Sequence, residues 1–165
     1  MDGGNDMKKV LALLLVLALC LSCSVVLADG IAKEDIKIGF IFLHDENSTY
    51  DLNFLNAAKE ACDALGVAYV LKTNIPEGQE CYETACELVE DEGCNIVFAD
   101  SFGHESFMIE AAKEYPSVQF CHATGTRAHT EGVANYHNAF ASIYEGRFLA
   151  GVAAGLKLNE MIANG

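Results

Sequence analysis

His44, Asp45, Glu46, Asn47, Ser48, Thr49, Tyr50 and Asp51 follow one another without a break, after Leu43 and the apolar run of residues 36–42. Ser, Thr and Asn side chains can hydrogen-bond the polar edge of a small ligand, and the ring of Tyr50 can cover an aromatic face. The same residue types also start helices, with Ser48, Thr49 or Asp51 as cap and Tyr50 packing as a staple. Capping accounts for one of them, not for the whole succession, so the segment reads as a binding loop.

A second polar segment, residues 100–106 (DSFGHES), offers the Ser101 hydroxyl, Phe102 as a stacking wall or a core residue, and Gly103 where backbone can approach a ligand. His44, His104 and His122 each directly follow an expected strand, with Asp45, Glu46 and Asp100 nearby. Three imidazoles at one edge could bind zinc, yet any residue placed after a strand converges there, and no local pair has ligand spacing. Structural or ligand-bonding histidines are therefore the leading reading, with a metal receptor as the alternative. No G-x-S-x-G elbow, P-loop or G-x-G-x-x-G turn occurs, and Gly151 and Gly155 fall inside an expected helix at the wrong spacing. No catalytic residue or cofactor is assigned.

The elements that must position these loops alternate. Residues 36–42 are too apolar for a one-sided strand and read as an interior strand of a parallel sheet. Further strands are expected at 69–72, 95–99, 118–121 and 133–136, and helices at 53–65, 81–92, 105–115 and 142–158. In the last helix, Gly146, Gly151, Ala153, Ala154 and Gly155 would allow close packing on a sheet. The alternation predicts an α/β fold with a doubly wound parallel sheet. Such sheets bind ligands beyond the carboxyl ends of their strands, which selects the loops 43–50, 73–78, 100–106 and 122–130.

Met7, Lys8, Lys9 and the apolar run 10–20 form a secretory signal, too short for a comfortable membrane span. Cleavage after Ala28 gives soluble export, whereas Cys23, or less well Cys20, gives a lipid-anchored form. Residues 1–28 are thus a signal peptide and 29–165 the mature chain, working outside the cytoplasm, in the periplasm or on the outer face of the membrane. In that chain 22 acids face 8 bases, which excludes nucleic acid and anionic membrane surfaces as partners; any membrane attachment is through the lipid. Five cysteines remain, an odd number with no zinc spacing, and they read as small core residues.

The segments FADSFGHESFMIEAAKEYPSVQFCHATG and VANYHNAFASIYEGRFLAGVAAG resemble the basic membrane protein family, substrate-binding components of ABC transporters of the purine-nucleoside type. The resemblance runs from about residue 36 to 158. It implies a lobe of the periplasmic-binding-protein type I, flavodoxin-like, fold, with the second lobe lying beyond this chain. It implies a non-enzymatic receptor for a purine nucleoside or nucleobase, serving a separate permease and ATPase. By the same resemblance Tyr50 and Phe102 stack on the ring, Asn47, Ser101 and Thr124 read its edge or sugar, Gly103 admits backbone approach, and His122 is a further contact. Asn47 and Thr124 stand where relatives often carry Asp, which leaves a free base or another small polar ligand open. A small flavodoxin-like enzyme complete in itself is the remaining alternative.

Overall fold

The computed structural model describes residues 30–165. The expected signal segment, residues 1–28, and its two candidate lipidation cysteines lie outside the described residues. Five parallel strands form one sheet in the order β2-β1-β3-β4-β5: β1 (Lys37–Ile41), β2 (Ala68–Lys72), β3 (Ile96–Ala99), β4 (Gln119–His122) and β5 (Tyr136–Asn138). The order turns back at β1, so the chain is doubly wound as expected, and the loops after β1 and β3 diverge at the switch point.

Helix α1 (Thr49–Leu65) links β1 to β2, α2 (Gln79–Glu90) links β2 to β3, and α3 (Glu105–Glu114) links β3 to β4. The four-residue α4 (Ala128–Glu131) precedes β5, and α5 (Ile143–Asn164) follows it. Side chains alternate across each strand. Ile41, Val97, Ala99 and Phe120 meet Cys81, Ala85, Leu88, Met108 and Ile109 of α2 and α3 in the main core. On the other face Phe42 packs with Leu55 and Ala58 of α1 in a smaller cluster.

Helix α1 begins four residues earlier than its apolar spacing predicts. Ser48 is its cap: the Ser48 hydroxyl accepts the Asp51 N–H at 3.2 Å, and Gly66 ends the helix in the left-handed region at φ 64°. Thr49, Tyr50 and Asp51 therefore sit in the first turn of α1 rather than in a loop. Ser48→Ala should destabilise the fold by about 1 kcal/mol, read as a lower urea midpoint with unchanged slope.

Strand β5 begins three residues later than expected. Gly132 turns the chain at φ 65°, and the Asn135 amide lies against the carbonyls of Ala112, Tyr115 and Val118 at 2.9, 3.0 and 2.7 Å. That segment ties down the end of α3 before the ladder starts. The last helix departs furthest from expectation. It continues to Asn164, and every residue of it is exposed, so its glycines and alanines do not pack on the sheet. Among the described residues no helix is long and apolar enough to cross a membrane.

Candidate ligand-binding site

The carboxyl ends of β1, β3 and β4 meet around Asp100. Its carbonyl accepts the Tyr50 hydroxyl at 3.2 Å and the Thr124 hydroxyl at 3.1 Å, so the turns after three strands close on one atom. Tyr50 is 46% exposed, and its ring leans on Phe54 with centroids 5.0 Å apart. Phe102, in a short 3-10 turn, is 67% exposed and is not a core residue. Two aromatic faces are thus presented at the strand ends.

Glu77, in the loop after β2, braces the turn that follows β3. One of its carboxyl oxygens accepts both the Ser101 hydroxyl and the Gly103 N–H, the latter at 2.8 Å. These two bonds hold the Glu77 carboxyl below the usual carboxylate range. A Cβ on residue 103 would overlap that carboxylate, so glycine is needed there for the close approach. Glu105 does the same for the loop after β4: it is buried and accepts the Arg127 N–H at 2.8 Å and the Tyr136 hydroxyl at 3.3 Å.

Asn47 is exposed, and its backbone and side-chain N–H groups donate to Asp45 at 3.0 and 2.9 Å. Its amide oxygen is left to accept from a ligand. Asp51 is 1% exposed. Burial works against its charge, but hydrogen bonds from Ser48 and from the His44 backbone and ring outweigh burial and hold the carboxyl below its usual range. Asp100 is 3% exposed, and neither of its carboxyl oxygens finds a partner among the described residues. Burial, reinforced by the Asp51 charge, pushes its carboxyl up to about 7.

The three histidines do not form a metal centre. His44 is exposed and pairs with Asp51 at 3.1 Å, His104 is buried and donates to the Ile75 carbonyl at 3.0 Å, and His122 is buried and donates to the Ser101 carbonyl at 2.6 Å. Among the described residues no group of three or more His, Cys, Asp or Glu is placed to hold a metal ion. His122 is therefore set beneath Ser101, which it positions. Burial lowers both His104 and His122 from the ordinary histidine value despite those bonds.

A buried histidine of lowered pKa supports the fold while neutral and opposes it once the unfolded chain begins to take up protons, below about pH 6.5. His122→Gln keeps a donor toward Ser101 without the titration. The stability of the native chain relative to this variant should fall on acidification below about pH 6.5, by up to about 1.4 kcal/mol per pH unit. Parallel urea curves over that range would show it; a constant difference would mean that His122 is solvated.

Of the sequence-derived candidates, Tyr50, Ser101, Phe102, Gly103 and Thr124 come together around Asp100, whereas Asn47 bonds Asp45 in a separate open pocket with His44, Ser48 and Asn74. Glu77 and Glu105 were missed. The loops holding them were selected by the strand-end rule, but nothing in their local spacing marks either as a brace.

The family model described as ABC transporter substrate-binding protein PnrA-like matches residues 40–164. A purine-binding protein of Brucella abortus is 33% identical over 137 residues, covering 80% of this chain and 37% of the relative. A candidate ABC transporter glucose-binding protein of Haloferax volcanii is 39% identical over 62 residues, covering 38% of this chain and 15% of the relative. Among solved structures, an ABC transporter solute-binding protein from Conexibacter woesei is similar in fold, with a TM-score of 0.54 at 16% identity, over 64% of this chain and 35% of that one. The chain thus spans well under half the length of these relatives.

Proposed function

Because the chain belongs to the family of PnrA-like ABC transporter substrate-binding proteins, we propose that it is the first ligand-binding lobe of an extracytoplasmic receptor for a purine nucleoside or nucleobase. A second lobe would close the cleft, and a membrane permease with its ATPase would take up the ligand. The observation that carries this reading is the convergence of Tyr50 and Thr124 on the Asp100 carbonyl, beside Ser101 and the exposed ring of Phe102.

The chemistry suits a purine. Tyr50 and Phe102 supply faces for an aromatic ring. The hydroxyl protons of Tyr50, Ser101 and Thr124 are already committed to Asp100 and Glu77, so each oxygen meets a ligand as an acceptor. Acceptors beside aromatic walls select flat ligands with N–H groups on their edge, and a purine has both. His122 contributes through Ser101. The role is binding, and no chemical step is assigned to any residue.

The likeness to a purine-binding relative over 80% of the chain supports this ligand class more than the shorter likeness to a glucose-binding one. The test is a thermal-shift screen of the protein carried to the end of its reading frame. A ligand at about 100 times its dissociation constant stabilises by about 2.7 kcal/mol. Purine nucleosides or bases should raise the midpoint and glucose and Zn2+ should not; the reverse pattern would remove the purine reading.

A further inference from the structure

Two buried acids meet where helix α1 begins. Asp51, in the first turn of α1, and Asp100, in the turn after β3, are 1% and 3% exposed, and their carboxyl groups lie within hydrogen-bonding reach of each other. Three donors hold Asp51: the Ser48 hydroxyl at 2.5 Å, the His44 backbone N–H at 3.0 Å and the His44 ring at 3.1 Å. That is the bonding of a carboxylate, which can only accept. Asp100 has no such set. Neither of its carboxyl oxygens bonds an N–H or O–H group among the described residues. The nearby N–H groups of Leu43 and of Asp100 itself favour its charge without closing a bond to it. On its other side Asp100 borders an apolar groove, with Phe42, Phe54 and Phe98 in the lining, which offers no side-chain donor.

Two facing carboxylates make no bond, whereas a carboxylic acid donates one to a carboxylate. Asp51 is already satisfied as the anion, so a proton shared by the pair sits on Asp100. The other titratable groups around them are engaged elsewhere. His44, in the loop after β1, lies on Asp51, and Tyr50 of α1 donates its hydroxyl to the Asp100 carbonyl. Glu77, in the loop after β2, holds Ser101 and Gly103. His104, in the turn after β3, and His122, at the end of β4, bond the Ile75 and Ser101 carbonyls. Among the described residues no Lys or Arg side chain bonds either carboxyl.

We propose that Asp100 is a positioning residue of the binding site: as the neutral acid it donates its proton to Asp51, and so keeps in place the backbone carbonyl on which Tyr50 and Thr124 close. The bond joins α1 to the turn after β3, the same two elements that the Tyr50 hydroxyl joins, so the two bonds act as one clamp. Burial and the Asp51 charge keep Asp100 neutral up to about pH 7. Above that the proton leaves for solvent, two like charges face each other, and Tyr50 loses its alignment with the turn that carries Phe102. A ligand that needs the clamp closed binds best to the protonated pair, so affinity is level below about pH 7 and falls above it. The role toward ligand rests on the purine-receptor reading; the proton on Asp100 does not.

Two measurements on the protein carried to the end of its reading frame test this. At about pH 6 ordinary carboxyl groups are ionised. Infrared spectra there should show the carbonyl band of a neutral carboxylic acid, which Asp100→Asn removes and which fades in the native protein above about pH 7. Calorimetric titration with adenosine, guanosine and their free bases should show, for each that binds, a native Kd that weakens about 3- to 10-fold between about pH 6 and about pH 8.5 relative to Asp100→Asn. The asparagine keeps an N–H donor toward Asp51 and does not titrate. Asp100→Ala, which has no donor, should bind about 2- to 10-fold more weakly than Asp100→Asn at both pH values. Absence of the acid band at about pH 6 overturns the proposal outright. The same pH profile in the native protein and Asp100→Asn overturns the positioning role. The acid band without binding of any of these purines overturns the purine-receptor reading, and with it the role of the clamp, while the proton on Asp100 stands.

Discussion

Tyr50→Ala, in the protein with both lobes, is expected to weaken purine binding by about 1–3 kcal/mol, or about 5- to 150-fold in Kd. The ring is half exposed, supported from behind by Phe54 and fixed at its tip by the bond to the Asp100 carbonyl. It therefore meets a ligand as a rigid surface that loses little freedom on binding. Tyr50→Phe separates stacking from hydrogen bonding, since it keeps the ring and removes the hydroxyl. Calorimetry should find the phenylalanine variant weaker than the native protein, because the acceptor oxygen and the bond to Asp100 are lost, and the alanine variant weaker still. Equal losses in both would transfer the role to the hydroxyl, and no loss in either would make Tyr50 a packing residue of α1.

The second large effect is expected at Glu77, which contacts ligand in no part of this account. Its carboxylate ties down both the Ser101 hydroxyl and the Gly103 N–H. Without it, Ser101 can rotate and the turn carrying Phe102 loses its brace. Glu77→Ala should cost about 1–2 kcal/mol of ligand affinity, given that the side chain is exposed and its bonds are partly screened. Glu77→Gln retains an acceptor oxygen and should recover part of the loss. The brace also has a pH signature. The carboxyl is held below its usual value, so its contribution is complete above about pH 4.5 and fades as pH falls through the lower folded value. Affinity measured from neutrality down to about pH 4.5 should therefore show no loss attributable to Glu77. A loss that begins near neutrality would place a different group at the site.

What could be read from sequence follows the range of the interactions involved. Strands buried on both faces are continuous apolar runs, so β1 and β3 were legible to within a residue or so at each end. The alternation of five strands with helices then fixed the class of fold, and the strand-end rule chose the loops that do meet at Asp100. Errors arose where a polar side chain outweighed periodicity: Ser48 moves the start of α1 back by four residues, and Asn135 is spent on the carbonyls around the end of α3 before β5 begins.

The braces were beyond local reading for a physical reason. Glu77 acts on residues 24 and 26 positions away, and Glu105 on a residue 22 positions away, so no window of spacing contains either pair. The histidines illustrate the converse. Their positions after three strands suggested a shared site, but a position at a strand end does not set the direction of a ring. Two of the three turn inward to backbone carbonyls, and the third turns to Asp51. Helix α5 was legible as a helix, but the small residues read as sheet-packing are exposed along its whole length.

The central claim is that the strand-end edge around Asp100 belongs to a purine receptor. Its most direct test is a calorimetric titration of the protein carried to the end of its reading frame, with adenosine, guanosine and their free bases in one series and glucose and Zn2+ in the others. The account predicts saturable, one-to-one binding heat with at least one purine, reduced by Tyr50→Ala, and none with glucose or zinc. Heat with glucose or zinc and none with any purine would contradict it.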